Sequence, residues 1–174
     1  MSGDRGGSTA ATGSGPEASL THLDERGRAT MVDVGAKPVT DRLAVASCEV
    51  RMSTATAARL LDGELPKGDA LPVVRLAGVQ AAKRTHELIP LCHQVALTSV
   101  EVDVEVERAT GVATISATAR AMDRTGVEME AMTAASVAAL TLYDLVKAVQ
   151  RDVVIGELRL REKRGGRSGD VVLP

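Results

Sequence analysis

Asp144 and Lys147 stand three residues apart, just beyond a stretch from Ala131 to Tyr143 that carries no charge. At i and i+3 of a helix the two side chains lie on one side. A carboxylate there can orient a neighbour or take a proton, and an ammonium can donate one or steady a departing anion. Burying both would cost on the order of several kcal/mol per ion, which a plain core position would avoid by using Leu. A partly exposed ion pair at the end of a helix is an ordinary feature that needs no function. Position in the sequence does not decide between the two.

Other side chains could join such chemistry. Lys67 lies in the loop Pro66-Lys67-Gly68-Asp69, where a glycine permits close approach of a ligand, although most turn lysines are merely solvated. Leu91-Cys92-His93 follows Pro90. His93 is either a ligand-contacting or acid/base imidazole or a satisfied histidine at a helix end. Cys92 has no neighbouring base and orienting acid of the kind a thiol nucleophile needs. His86 and His93 are separated by Pro90, so they make no helical metal pair. Thr125-x-x-Glu128 has the spacing of a capping box, which leaves Glu130 without a capping role. Lys83-Arg84 and the run Lys163-Arg164-Gly165-Gly166-Arg167-Ser168-Gly169 are basic, and glycine backbone beside cations suits phosphate, with a solvated basic edge as the plainer alternative. The run does not have Walker A spacing.

These residues must be held by regular elements. Residues Met1 to Ser19, rich in Gly, Ser, Ala and Thr, read as a disordered leader. A strand is predicted at about 42–52, then a short helix capped by Ser53 and stopped at Asp62-Gly63. A second helix spans about 70–85, with Pro72 in its first turn and Asp69 as its cap. Val100 to Glu107 alternates apolar and acidic residues strictly, and Val112 to Thr118 continues it as a hairpin through Ala109-Thr110-Gly111. A long helix follows to about 151, then a strand at about 154–163 and a glycine-rich basic tail, 164–174. The order predicts an α+β, ferredoxin-like antiparallel sheet with helices packed on one face, carried by residues 20–163.

Composition narrows the function. The 174 residues carry a formal net charge of −2, against a nucleic-acid-coating role. With no Trp or Phe and only Tyr143, base stacking is excluded as a main device, and the core must be aliphatic. The 13-residue uncharged run is shorter than the ~20 residues that span a bilayer. Two cysteines outside any CxxC motif, and an N-terminal segment without an apolar h-region, predict a reduced cytoplasmic protein.

Met31-Val32-Asp33-Val34, Lys67-Gly68-Asp69, Ala77-Gly78-Val79-Gln80-Ala81-Ala82-Lys83-Arg84-Thr85, Ile89-Pro90-Leu91-Cys92-His93, Thr125-Gly126-Val127-Glu128-Met129-Glu130-Ala131 and Tyr143-Asp144-Leu145-Val146-Lys147-Ala148-Val149-Gln150 together resemble the cyclic pyranopterin monophosphate synthase family, over about 20–170. The resemblance implies a ferredoxin-like enzyme of molybdenum cofactor biosynthesis, a phosphorus–oxygen lyase. Its substrate would be 3′,8-cyclo-7,8-dihydroguanosine 5′-triphosphate, its products cyclic pyranopterin monophosphate and pyrophosphate. It implies a homohexamer built as a trimer of dimers, with sites at the dimer interface. By motif position Asp144, Lys147 and Lys67 would be catalytic. Leu91, Cys92, His93, Glu128, Met129 and Glu130 would contact substrate. Lys37, Arg42, Lys83, Arg84, Lys163 and the glycine-rich tail would meet phosphate. The sequence specifies no cofactor and does not show whether Mg2+, a usual companion of a triphosphate, is required. Gln94 stands where the family commonly has proline after the histidine, which frees the backbone next to His93.

The expected mechanism gives proton transfer to Lys67 and Lys147, the lysine pKa lowered by burial and nearby cations, with Asp144 orienting Lys147 or acting as a base. Two readings compete. A non-catalytic nucleotide- or pterin-binding module would hold the same ligand without releasing pyrophosphate. A purely structural oligomerisation domain would tolerate loss of Asp144 and Lys67.

Overall fold

Alternation in the first strand, β1 (Thr40–Arg51), sends Ala44, Ala46, Cys48 and Val50 to one face, where all four are fully buried. The computed structural model describes residues 26–167 and 169–174; the predicted leader lies outside them. They fall into two units divided between Val32 and Asp33. In the first, the described residues are 26–32, almost all exposed and without helix. All that follows concerns the second unit, 33–174.

After β1 come α1 (Thr54–Leu61), α2 (Leu71–Ala82), α3 (Thr85–Leu88), β2 (Leu97–Glu107), β3 (Val112–Asp123), α4 (Glu128–Val146), β4 (Val154–Arg164) and β5 (Val171–Val172). The strands form one antiparallel sheet in the order β2-β3-β1-β4-β5. Its first four members have the ferredoxin-like arrangement expected, and β5 is an addition made by the tail. α4 lies across β1, β3 and β4, and α2 packs beside it on β2. The acidic row Glu101, Asp103, Glu105 and Glu107 of β2 is exposed, as its alternation requires.

Alanine sets how closely the layers approach. Ala113, Ala117, Ala119 and Ala121 of β3 meet Ala131, Ala134, Ala135, Ala138 and Ala139 of α4, all at most 1% exposed. Small facing side chains bring a helix axis near its support, so a dense core forms without Trp or Phe. Gly78 does the same at the crossing of α2 and α4, where a Cβ would sit 3.0 Å from the Ala134 carbonyl oxygen and 2.9 Å from Val102 Cγ2. α4 is long and apolar enough to cross a membrane by length and composition, yet more than half of it is buried against protein.

Element ends show local physics. Ser53 caps α1, its hydroxyl accepting from the Thr56 N–H at 3.2 Å, and Gly63 follows at φ +71°. Asp69 Oδ1 accepts from the Leu71 N–H at 3.3 Å, although Ala70 holds the cap position of α2. That helix stops at Ala82 rather than near 85. The Thr85 hydroxyl donates to the carbonyls of Ala82, at 3.0 Å, and Ala81, at 3.4 Å, and the chain restarts as α3. The long helix ends at Val146, short of 151, because the chain must turn back through Gln150 to reach β4. Gln150 Oε1 accepts the Ser53 N–H at 2.9 Å there. The predicted capping box does not form: Val127 occupies the cap of α4 and no side chain caps it. Glu128 instead folds back over Gly126, where a Cβ would overlap its carboxylate.

Candidate active site

The C-terminal end of α4 carries an ion trio. Asp144 Oδ1 pairs with Lys147 Nζ at 2.5 Å, and Oδ2 with Lys67 Nζ at 2.5 Å. Lys67 also donates to the Asp144 carbonyl at 3.3 Å. It arrives from the loop after α1, 77 residues away in sequence. Each of the three side chains is about half exposed in the protomer, 46% for Lys67, 48% for Asp144 and 51% for Lys147. The pair is therefore the exposed one at a helix end, not a buried one.

That exposure corrects the expected electrostatics. Hydrogen bonds from Lys147 and Lys67 hold the Asp144 carboxyl down to about 2, so it is a weak base. The same bond raises the Lys147 ammonium above its ordinary value, where lowering was expected. The trio at rest presents two protonated amines on one carboxylate, suited to donating protons or meeting an anion.

A second group gathers at the other end of α4. Glu130 is 2% exposed, with Cys92 Sγ 3.7 Å from its Oε1 and its Oε2 without a hydrogen-bond partner. Burial, with the nearby acids Glu128 and Asp123, raises the Glu130 carboxyl. Burial first, then Glu130, pushes the Cys92 thiol up to about 11, so Cys92 is no nucleophile at neutral pH. Leu91 and Met129 are exposed at 37% and 36%, available for a ligand to cover. His93 is half-buried in the same turn.

A raised carboxyl is stabilised in its protonated form. Its contribution to folding is full below the ordinary carboxylate range and is lost as pH rises through the raised value. We predict that the melting temperature of the wild type falls as pH climbs from that range toward neutrality, and that Glu130→Gln flattens this fall. Thermal melts at stepped pH check it; an unchanged slope in the variant would show that Glu130 is not the group responsible.

Beside this end of α4 lies a basic basket. Lys37, Arg42, Arg124, Lys163 and Arg167, with Thr40, Thr125, Gly126 and Glu128, line an open cavity of about 440 Å³. Arg42 is 8% exposed, its Nε–H donating to the Asp123 carbonyl at 3.1 Å. Arg124 Nε–H donates to the Lys37 carbonyl at 3.1 Å. Five cations around one cavity favour a polyanion, and arginine forks suit phosphate. Lys37, Arg42 and Lys163 were expected, as was the glycine-rich tail that carries Arg167. Lys83 and Arg84 do not join them; both are exposed in the α2–α3 turn. Arg124 and Thr40 were missed, the only signal being a cation directly before the Thr125-Gly126 motif. Among the described residues no three His, Cys, Asp or Glu side chains converge to hold a metal ion.

Glu130 and Asp144 are fourteen residues apart on one helix, about 21 Å at ~1.5 Å per residue. The lysine–aspartate trio and the basket with Cys92 and Glu130 thus occupy opposite ends of α4 in the protomer.

A ferredoxin-like chain with amines bridged by a carboxylate at one end and a polycationic basket at the other has the equipment of a small-molecule enzyme acting on a polyanion. Sequence comparison is specific: the profile of the MoaC family matches residues 31–166, and the chain belongs to that family. It is 59% identical over 153 residues to cyclic pyranopterin monophosphate synthase of Roseiflexus sp. (strain RS-1), covering 88% of this chain and 97% of the relative. The synthase of Parvibaculum lavamentivorans is 55% identical over 151 residues, 87% and 94% of the two chains. Molybdenum cofactor biosynthesis protein 1 of Homo sapiens is 53% identical over 160 residues, 90% of this chain but 25% of that longer protein.

Proposed function

We propose that this protein is a cyclic pyranopterin monophosphate synthase, a phosphorus–oxygen lyase that acts on 3′,8-cyclo-7,8-dihydroguanosine 5′-triphosphate. The observation that carries the proposal is the Lys67–Asp144–Lys147 trio, assembled from two distant family motifs in a chain that matches the family profile over 31–166. In this reading the basket takes the triphosphate. Leu91, Cys92, His93, Met129 and Glu130 take the ring system, with Glu128 between ring and phosphates. Lys67 and Lys147, protonated at rest, donate protons as the ring is opened and rebuilt. A hydroxyl of the substrate then attacks the α-phosphorus: a new O–P bond forms, the bond to the β-phosphate oxygen breaks, the hydroxyl loses its proton, and pyrophosphate leaves with the electron pair. Lysine and arginine charge stabilises that leaving group. Mg2+ fits this scheme as a companion of the triphosphate.

Within one protomer Glu130, beside the basket, and Asp144 of the trio stand about 21 Å apart along α4. We therefore place the site between two copies, the trio of one facing the basket of the other, within the homohexamer that the family resemblance implies. Such an interface would also cover the half-exposed trio and desolvate it. The protein would work in the cytoplasm.

Incubation with the cyclised triphosphate tests the assignment. Equal amounts of cyclic pyranopterin monophosphate and pyrophosphate should appear. Tight binding of the substrate with no pyrophosphate would instead establish a non-catalytic binding module.

A further inference from the structure

The turn from β4 to β5 contains glycines at positive φ, two of them side by side: Gly165 at +84° and Gly166 at +77°. They face different things. A Cβ on Gly165 would overlap the carbonyl oxygen of Asp41, part of the β1 backbone. A Cβ on Gly166 would overlap Nη1 of Arg42, the tip of a side chain. The turn is tied down on its own account: the Gly165 N–H donates to Asp170 Oδ1 at 3.0 Å and the Gly169 N–H to the Gly166 carbonyl at 3.2 Å. On its other side Arg42 is held through Nε by the Asp123 carbonyl. The guanidinium is thus gripped between a strand carbonyl and a glycine whose missing side chain leaves room for Nη1. Both Arg42 and Gly166 line the basket.

We infer that Gly166 is a positioning residue for polyphosphate: its bare backbone holds the Arg42 fork at the angle from which it engages the anion. The inference rests on the assignment of the basket to the triphosphate. Gly165 and Gly166 then differ in kind. A side chain at 165 strikes backbone and disturbs the fold. A side chain at 166 strikes a flexible tip and turns Arg42 out of place at little cost to the fold. A planar fork is useful only when aimed, so misplacement removes paired hydrogen bonds to phosphate while leaving the charge nearby.

The test is a double-mutant cycle on the full chain, read by calorimetric binding of inorganic triphosphate and by steady-state kinetics with the cyclised substrate. Gly166→Ala should raise both the Kd for triphosphate and KM about tenfold, with kcat within about twofold, as expected for a lost ground-state contact. Arg42→Lys removes the fork, and in that background Gly166→Ala should change either quantity by less than about twofold, the signature of a shared interaction. Gly63→Ala places the same strain in open space, at φ +71° with nothing within 4 Å, and should leave triphosphate binding unchanged. Equal losses from Gly166→Ala in both backgrounds, or an equal loss from Gly63→Ala, would overturn the inference. If Gly166→Ala folds only when position 42 is Lys, the steric contact is supported. If it folds in neither background, Gly166 is a fold residue and the inference fails. Should Arg42→Ala itself leave triphosphate binding unchanged, the basket assignment is what falls; should Arg42→Ala weaken it and Gly166→Ala not, the basket stands and only the positioning role is lost.

Discussion

Lys147→Ala is expected to lower pyrophosphate release by at least about 10³-fold, within the range that a positioned proton donor contributes, while the chain stays folded. Lys147 lies at the C-cap of α4, half exposed, and pairs with Asp144. An ion pair so exposed contributes little to stability, and the helix end is held by the backbone bond from the Lys147 N–H to the Tyr143 carbonyl at 2.9 Å, which alanine keeps. The chemical loss has two parts. The protonated amine disappears, and Asp144 keeps only Lys67, so its carboxylate is no longer pinned by both oxygens. Lys147→Arg should not restore activity, because a guanidinium keeps the charge but does not give up its proton near neutral pH. The measurements are single-turnover pyrophosphate release with the cyclised triphosphate, and thermal melting of the same sample. Full activity of Lys147→Ala would remove the trio from the mechanism.

Mixing two impaired variants should restore activity at substrate concentrations well below KM. Lys147→Ala spoils the trio and keeps the basket; Arg42→Ala spoils the basket and keeps the trio. If each site takes its two halves from two copies, a randomly reassembled equal mixture contains about a quarter of the wild-type number of intact sites, because half the dimers are mixed and each mixed dimer has one good site of two. Each variant alone should stay well below that level. The readout is turnover after the two proteins are unfolded together and refolded, compared with each refolded separately. No recovery, with mixed oligomers demonstrated by native mass measurement, would place both groups of side chains in one copy. That outcome would overturn the site shared between two copies.

Much of the frame was readable from residue patterns. The strict alternation from Val100 to Glu107 became β2, with its acids exposed. Ser53 and Gly63 bounded α1 because capping hydroxyls and left-handed glycines act within a few residues. The reading went astray where a distant partner outweighed a local preference. Thr125 and Glu128 have capping-box spacing, yet the Glu128 carboxylate folds back over Gly126 and lines the basic cavity instead of capping α4. β3 runs on to Asp123, past the predicted 118, because its register with β1 continues from Thr118 to Asp123 and buries Ala119 and Ala121 under α4.

What the sequence determined by itself was the kind of chemistry and the family: an acid and an amine spaced to share a helix side, a lysine before glycine, a Leu-Cys-His turn, and an order of strands and helices that closes as a ferredoxin-like sheet. These are local properties, set by side-chain type and by a period of two or 3.6 residues. The tertiary structure decided who meets whom. It brought Lys67 to Asp144 across 77 residues, left that trio half exposed with hydrogen bonds that hold the carboxylate low and the Lys147 amine high, buried Glu130 with one oxygen unsatisfied, and set the trio and the basket at opposite ends of one helix. Distance and exposure depend on how layers stack, and no window of sequence contains them.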